Sequence, residues 1–283
     1  MGKTILITGA SGNIGRELVA ELKSRELPFI AGSASGKRID GVETRHVDFN
    51  DVAGMVEAFT GVDTLFLLLP LTQNKLELAR NAVLAAKQAG VSHIVRASGA
   101  GADVNSALPL PRLQGQIDQL IIDSGIAYTL LRPNSFMQNF ATYQQGMVKA
   151  GTLYLPYGDA AVSYVDTRDI AAVAATALAN PAAHAGQTYM LTGGRAVSTQ
   201  AAVEALSRAT GRTVQYVPVS DDAAVNGMRQ AGLPEWMIEI FSSLNALIRA
   251  GHTAGVSPDV ERVLGRAPIA FETFAADYAA AWR

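Results

Sequence analysis

Apolar positions along this chain follow two periods in turn. Ile5 to Ile7 form a short continuous apolar run, and a glycine-rich turn, Gly9-Ala10-Ser11-Gly12-Asn13-Ile14-Gly15, comes after it. Ile14, Leu18, Val19 and Leu22 then recur at helical spacing, with Arg16, Glu17, Glu21 and Lys23 between them. The order is strand, turn, helix. A short strand is expected at 28–32, an alternating one at 42–47 and a short helix at 51–59. Residues 62–69 are almost continuously apolar and stop at Pro70, the pattern of a central parallel strand buried on both faces. A helix at 75–89 puts Leu76, Ala79, Val83 and Ala86 on one face, and Gly90 closes it. A fifth strand at 92–97, a helix at 114–123 and a strand at 127–131 follow, and Pro133 ends that strand. Repeated alternation of strand and helix predicts right-handed crossovers around a parallel sheet.

Beyond residue 150 the pattern changes. Short strands are expected at 153–156, 162–165, 188–191 and 214–217. An alanine-rich helix is expected at 167–178, and Ser198 is placed to cap another that runs to 208. Helices at 221–230, 234–249, 258–264 and 271–282 complete the chain. The fold class is therefore α/β: a Rossmann-type doubly wound parallel sheet with a smaller, mainly helical, substrate-capping C-terminal region. Residues 1–155 are expected to form the nucleotide-binding core, with the strands and helix near 160–192 returning to pack on it. Residues 193–283 are expected to form the smaller region.

The glycine turn is where chemistry enters. Gly9 permits a tight turn after the strand, Gly12 lets backbone approach a pyrophosphate, and Gly15 lets the helix pack against the sheet. The free N–H groups at the helix start, near Asn13 and Ile14, would face the anion. The alternative is a turn that merely joins strand to helix. In such sheets ligands lie beyond the carboxyl ends of the strands, so Gly9, Ser33, Asp48, Leu69 and Ser98 are expected to line one crevice. Residues 29–39 contain no acid that could bind a ribose 2′-hydroxyl, but they carry Ser33, Ser35, Lys37 and Arg38. That set favours NADP(H) over NAD(H); read otherwise, Lys37 and Arg38 belong to a solvated loop. Phe136 and Phe140, one helical turn apart, are either core or the wall of a pocket.

Composition narrows the classes. Half of the 283 residues are apolar and the net charge is −2, so nothing electrostatic favours direct binding to nucleic acid or to an anionic membrane surface. The absence of cysteine excludes disulfides, thiol catalysis and thiolate metal ligands. His46, His93, His184 and His252 show no metal-ligand spacing, so no metal is expected. No signal-peptide layout and no apolar run of ~18 residues is present. A cytoplasmic monomer or homodimer, with a small molecule as its partner, is the expectation.

Several segments together resemble one family. They are Thr8–Gly15, Phe66-Leu67-Leu68-Leu69-Pro70, Ser98-Gly99-Ala100-Gly101, Ser124-Gly125-Ile126, Leu131–Asn139 and the run from Asp259 to Pro268. The chain resembles the NmrA-like atypical short-chain dehydrogenase/reductases, which include quinone and triphenylmethane dye reductases, and it does so over nearly its whole length. The resemblance implies NAD(P)H as cofactor, without flavin or metal. It carries nucleotide contacts onto Gly9, Ala10, Ser11, Gly12, Asn13 and Ile14, the loop with Ser33, Ser35, Lys37 and Arg38, then Asp48, Phe49, Leu68, Leu69, Pro70, Ser98 and Pro133.

Two departures bear on mechanism. No Tyr-x-x-x-Lys pair exists: Tyr128, Tyr143, Tyr154 and Tyr157 are followed four residues on by Arg132, Met147, Gly158 and Ala161. Many family members also carry a histidine where this chain has Gln114, which donates a hydrogen bond but supplies no proton near neutral pH. A plain ketone needs a tuned acid; a quinone or a cationic dye is already a good hydride acceptor. The expectation is an NAD(P)H-dependent reductase of quinone-like or other electron-poor acceptors, with Ser98 and Gln114 as catalytic candidates. Asn134, Phe136, Gln138 and Tyr143 are the substrate-binding candidates. A non-catalytic NAD(P)-binding redox sensor and an imine or C=C reductase are the alternatives.

Overall fold

The computed structural model describes residues 4–36, 38–39 and 41–283. Among them the strands are β1 (Ile5–Thr8), β2 (Phe29–Ser33), β3 (Glu43–His46), β4 (Thr64–Leu67), β5 (His93–Ala97), β6 (Ala127–Pro133), β7 (Thr152–Leu155), β8 (Ala161–Val162), β9 (Gln187–Leu191), β10 (Val197–Ser198) and β11 (Gln215–Pro218). The helices are α1 (Asn13–Ser24), α2 (Val52–Phe59), α3 (Lys75–Gln88), α4 (Pro109–Asp123), α5 (Gln145–Ala150), α6 (Thr167–Ala179), α7 (Pro181–His184), α8 (Thr199–Thr210), α9 (Asp221–Gln230), α10 (Glu235–Arg249), α11 (Asp259–Leu264) and α12 (Phe271–Asp277). They belong to two compact units.

The first unit takes the chain up to Ala107, then Pro111–Pro133 and Ile170–Met190. Its sheet runs β3-β2-β1-β4-β5-β6-β9. The pairs from β3 through β6 are all parallel. β1, β4 and β5 are buried along their whole length, which is why they read as unbroken apolar runs. After β3 the chain crosses back to place β4 on the other side of β1. The strand order therefore reverses at β1, and a crevice opens beyond the carboxyl ends of β1 and β4. One apolar layer, with Met55, Phe59, Leu78, Ala82 and Ile117, packs against Leu6, Leu65 and Ile94.

The second unit takes Leu108–Leu110, Asn134–Asp169 and Leu191–Arg283. β7 and β11 pair in parallel, and β8 and β10 antiparallel. Phe140, Tyr164, Phe271, Phe274 and Trp282 are its aromatic core. Phe140 meets Tyr164 and Phe271 edge-on at 5.3 and 5.2 Å, and the Trp282 indole donates to the Phe140 carbonyl at 2.8 Å. Ser198 accepts from the Ala201 N–H and caps α8, as its position in the sequence suggests.

Two elements differ from the sequence expectation. Helix α4 begins at Pro109, five residues before the expected start. Pro109 and Pro111 look like helix breakers, yet in a first turn the missing N–H has no partner to lose. The chain also leaves the first unit at Pro133 rather than near 155, and α6 from Ile170 returns to it. Ile170 to Ala175 are all buried.

Candidate active site

A cleft of about 820 Å³ opens in the first unit where the strand order reverses. Gly9, Ala10, Ser11 and Gly12 form one wall, Ser33, Ser35 and Arg38 another, and Phe49, Leu68, Leu69 and Pro70 a third. The glycines divide the work. Gly9 has φ +69, a left-handed conformation. A Cβ on Gly15 would collide with the Gly9 carbonyl and Ala10 Cα, so Gly15 fixes how α1 meets the turn. A Cβ on Gly12 would meet only the Gly9 carbonyl oxygen, at 3.4 Å. The turn itself therefore leaves room for a Cβ at position 12, which lines the cleft. Gly12 is also the N-cap of α1, and no side chain caps that helix. Its first N–H groups are left for an anion. Asn13 accepts from Arg16 at 3.3 Å and Ile14 is buried; neither is among the residues that line the cleft.

The wall also contains residues that the sequence did not single out. The Thr8 hydroxyl accepts from the Leu68 N–H at 2.9 Å and lies 3.1 Å from the Phe66 and Leu68 carbonyls. It ties the end of β1 to the end of β4. Arg16 and Val47 line the cleft as well. Arg16 was legible as the first residue after the glycine pattern. Two arginines and no carboxylate stand among the described lining residues. Lys37 lies outside the described residues.

Asp48 does not line the cleft. Its carboxylate accepts from the Asn50 backbone and side-chain N–H groups at 2.9 and 3.0 Å, which hold it below the usual carboxyl range. Pro133 and Ser98 are outside the cleft lining too; the Pro133 carbonyl accepts from the Ala100 N–H.

Ser98 and Gln114 are brought together, but by a third residue. Arg96, on β5, is 1% exposed and forms an ion pair with buried Asp118. Asp118 also holds Arg132 at 2.9 Å. Arg96 donates to Ser98 Oγ at 2.8 Å, to the Gln114 carbonyl at 3.1 Å and to Gln114 Oε1 at 2.6 Å. Burial lowers the Arg96 pKa to about 9, so it stays charged at neutral pH. Arginine can only donate, so Gln114 must face it with its oxygen, and the amide N–H groups are left for another partner. Ser98 is different. Its one proton goes to Asp118 at 3.0 Å. The expected role of Ser98 as a donor to substrate is corrected: its hydroxyl is already spent within the cluster.

The substrate-binding candidates belong to the second unit, and two are fully engaged there. Asn134 donates to Ser163 and to the Thr253 carbonyl, both at 2.8 Å, and accepts from the Ser135 N–H. Gln138 donates to Asp166 at 2.8 Å and accepts from the Thr167 N–H at 2.9 Å. Both amides are corrected from ligand contacts to internal ties, because the N–H groups and the oxygen of each are engaged within this unit. Tyr143 is 79% exposed. Phe140 is core, whereas Phe136 is half-buried and bridges to Val165.

The NmrA-like family model matches residues 1–268. An NAD(P)H azoreductase of Xenophilus azovorans is 37% identical over 98% of this chain and 99% of its own. The Escherichia coli NADPH-dependent quinone oxidoreductase, solved with NADPH, superposes with a TM-score of 0.86 at 25% identity, over 96% of this chain and 99% of its own. The Citrobacter triphenylmethane reductase, solved with NADP(H), gives 0.85 at 26%, over 98% and 99%. Among the described residues no cluster suits a metal ion, and no helix is long and apolar enough to cross a membrane.

Proposed function

The chain belongs to the NmrA-like family and is an NAD(P)H-dependent oxidoreductase, and from that premise we propose that it reduces quinone-like or azo acceptors by direct hydride transfer, without flavin or metal, and prefers NADP(H). The observation that carries this reading is a buried arginine that takes the amide oxygen of Gln114 and so leaves its N–H groups for another partner. The cleft suits the cofactor. The uncapped start of α1 with Gly9–Gly12 would hold the diphosphate. Ser33, Ser35, Arg38 and Arg16 would meet a 2′-phosphate. A bound nicotinamide supplies the hydride; the protein supplies orientation and electrostatics.

The acceptor gains negative charge as the hydride arrives. Gln114 donates to that charge, and its direction is set before the acceptor binds. Ser98 is a positioning residue: it bridges Arg96 and Asp118 and so keeps the amide in place. A donor of this kind is worth ~2.7–4 kcal/mol where it faces developing charge in a dry site, and less where water substitutes. Gln114→Ala should lower kcat for quinone- and azo-dependent NADPH oxidation by ~10–100-fold while NADPH binding stays the same. Steady-state kinetics beside a fluorescence titration test this. Tight NADPH binding without oxidation by any quinone, azo dye, imine or triphenylmethane dye would replace the reductase reading with that of a nucleotide-sensing regulator.

A further inference from the structure

Two glycines stand next to Gln114, one in sequence and one in space. At Gly115 a Cβ would collide with the backbone of Asp103 and Val104. Glycine is needed there so that the loop after β5 can lie on α4. Gly99 is different. Its φ is outside the left-handed region, so the backbone makes no demand for glycine. The three nearest neighbours of a Cβ at Gly99 would all belong to the Gln114 side chain: Nε2 at 3.4 Å, Cγ at 3.6 Å and Cδ at 3.8 Å. These are ordinary contacts, and no atom beyond the chain neighbours stands closer. Gly99 itself is held in place. The Ser98 N–H donates to the Leu131 carbonyl at 2.7 Å, the Ala100 N–H to the Pro133 carbonyl at 2.9 Å, and the Gly99 carbonyl accepts from the Ala102 N–H at 3.3 Å. Arg96 holds the oxygen end of the Gln114 amide, and Gly99 lies against its nitrogen end. Both Gly99 and Gln114 are half-buried. The place is the carboxyl edge of the sheet. Arg96 is opposite Leu67 in the β4–β5 ladder, and Leu68, Leu69 and Pro70, just past Leu67, line the cleft. Gly99 follows the end of β5 at that same edge, where sheets of this kind bind ligands.

We propose that Gly99 is a specificity-determining residue: by lacking a side chain it leaves the nitrogen end of the Gln114 amide open to the oxygen or nitrogen of a conjugated acceptor. The inference rests on the reading above, in which that amide meets the acceptor. An amide N–H bonds only to an atom that comes within hydrogen-bond distance. A methyl group in van der Waals contact with Nε2 occupies part of that approach and offers no lone pair in return. The fold has no matching objection. A Gly→Ala change at an ordinary φ narrows the unfolded ensemble and favours the native state. Glycine at position 99 therefore serves the approach to the amide and not the loop that carries it.

The test is a double-mutant cycle on Gly99→Ala and Gln114→Ala, read as NADPH oxidation with a quinone and with an azo dye, beside NADPH titration and thermal unfolding. Gly99→Ala alone should lower kcat/KM for the acceptor by ~10-fold, with NADPH affinity unchanged and a thermal midpoint at or above that of the wild type. In the Gln114→Ala background the same change should cost less than about twofold, because the donor it screens is gone. A purely structural role would lower the midpoint and give equal losses in both backgrounds. Either result, or wild-type kcat/KM in folded Gly99→Ala, would overturn the proposal and leave the reductase reading standing. Full activity in Gln114→Ala would overturn the role of the amide and this proposal together.

Discussion

Among the described lining residues the cations are Arg16 and Arg38, and Ser33 and Ser35 belong to the same lining. The two serine hydroxyls are 3.3 Å apart. A charge-assisted contact to a 2′-phosphate is worth ~1.5–3 kcal/mol, which corresponds to roughly tenfold or more in affinity. NADP(H) should therefore bind at least ~10-fold more tightly than NAD(H), and Arg38→Ala should remove most of the difference without weakening NAD(H). Parallel fluorescence titrations of both nucleotides decide it, and equal affinities in the wild type would refute the assignment. At this scale the sequence was legible where backbone geometry places a residue at the cleft, as with Gly9 and Gly12, and the resemblance supplied Phe49. It was not legible where the outcome depends on a distant partner. Asn134 is satisfied by a carbonyl 119 residues away. Ser98 reads as a free hydroxyl until Asp118 is placed beside it.

The turn between β1 and α1 holds two glycines with opposite liabilities. A side chain at Gly12 has room at the level of Cβ but projects toward the cleft. A side chain at Gly15 runs into the Gly9 carbonyl. Gly12→Val should abolish cofactor binding and leave the thermal midpoint near that of the wild type. Gly15→Ala should destabilise the fold by ~1–3 kcal/mol, the scale of an overpacked contact. Calorimetry and cofactor titration on both variants separate the two roles; a stable Gly15→Ala variant would show that the helix can shift without loss. Most elements followed from periodicity, and the central strands were the plainest because burial on both faces leaves no polar position. The start of α4 was hidden by Pro109 and Pro111, residues that end helices elsewhere and are tolerated where a helix begins. β3 alternates weakly because it is an edge strand with two exposed and two half-buried residues.

The first unit is not a contiguous stretch. Its sheet needs β9, and α6, buried from Ile170 to Ala175, belongs to it as well. A fragment ending at residue 155 lacks both. It should fail to give a cooperative unfolding transition or to bind NADPH, with near-UV circular dichroism and nucleotide titration as the measurements. A folded, binding-competent fragment would mean that β1 to β6 suffice. Periodicity along the chain revealed the alternating half but could not show that the chain leaves at Pro133 and returns at Ile170, because that depends on which apolar faces meet. The same interleaving sets a schedule for synthesis. At ~5–20 residues per second, the segment up to Met190 takes roughly 10–40 seconds to emerge from the ribosome. Until then β6 has no neighbour on its outer edge and the apolar surface destined for α6 lies open to other chains. Between the emergence of β6 and that of Met190, roughly 3–11 seconds at this rate, the nascent chain carries an apolar surface that is made but not yet covered, and whatever shields it meanwhile bears on its yield.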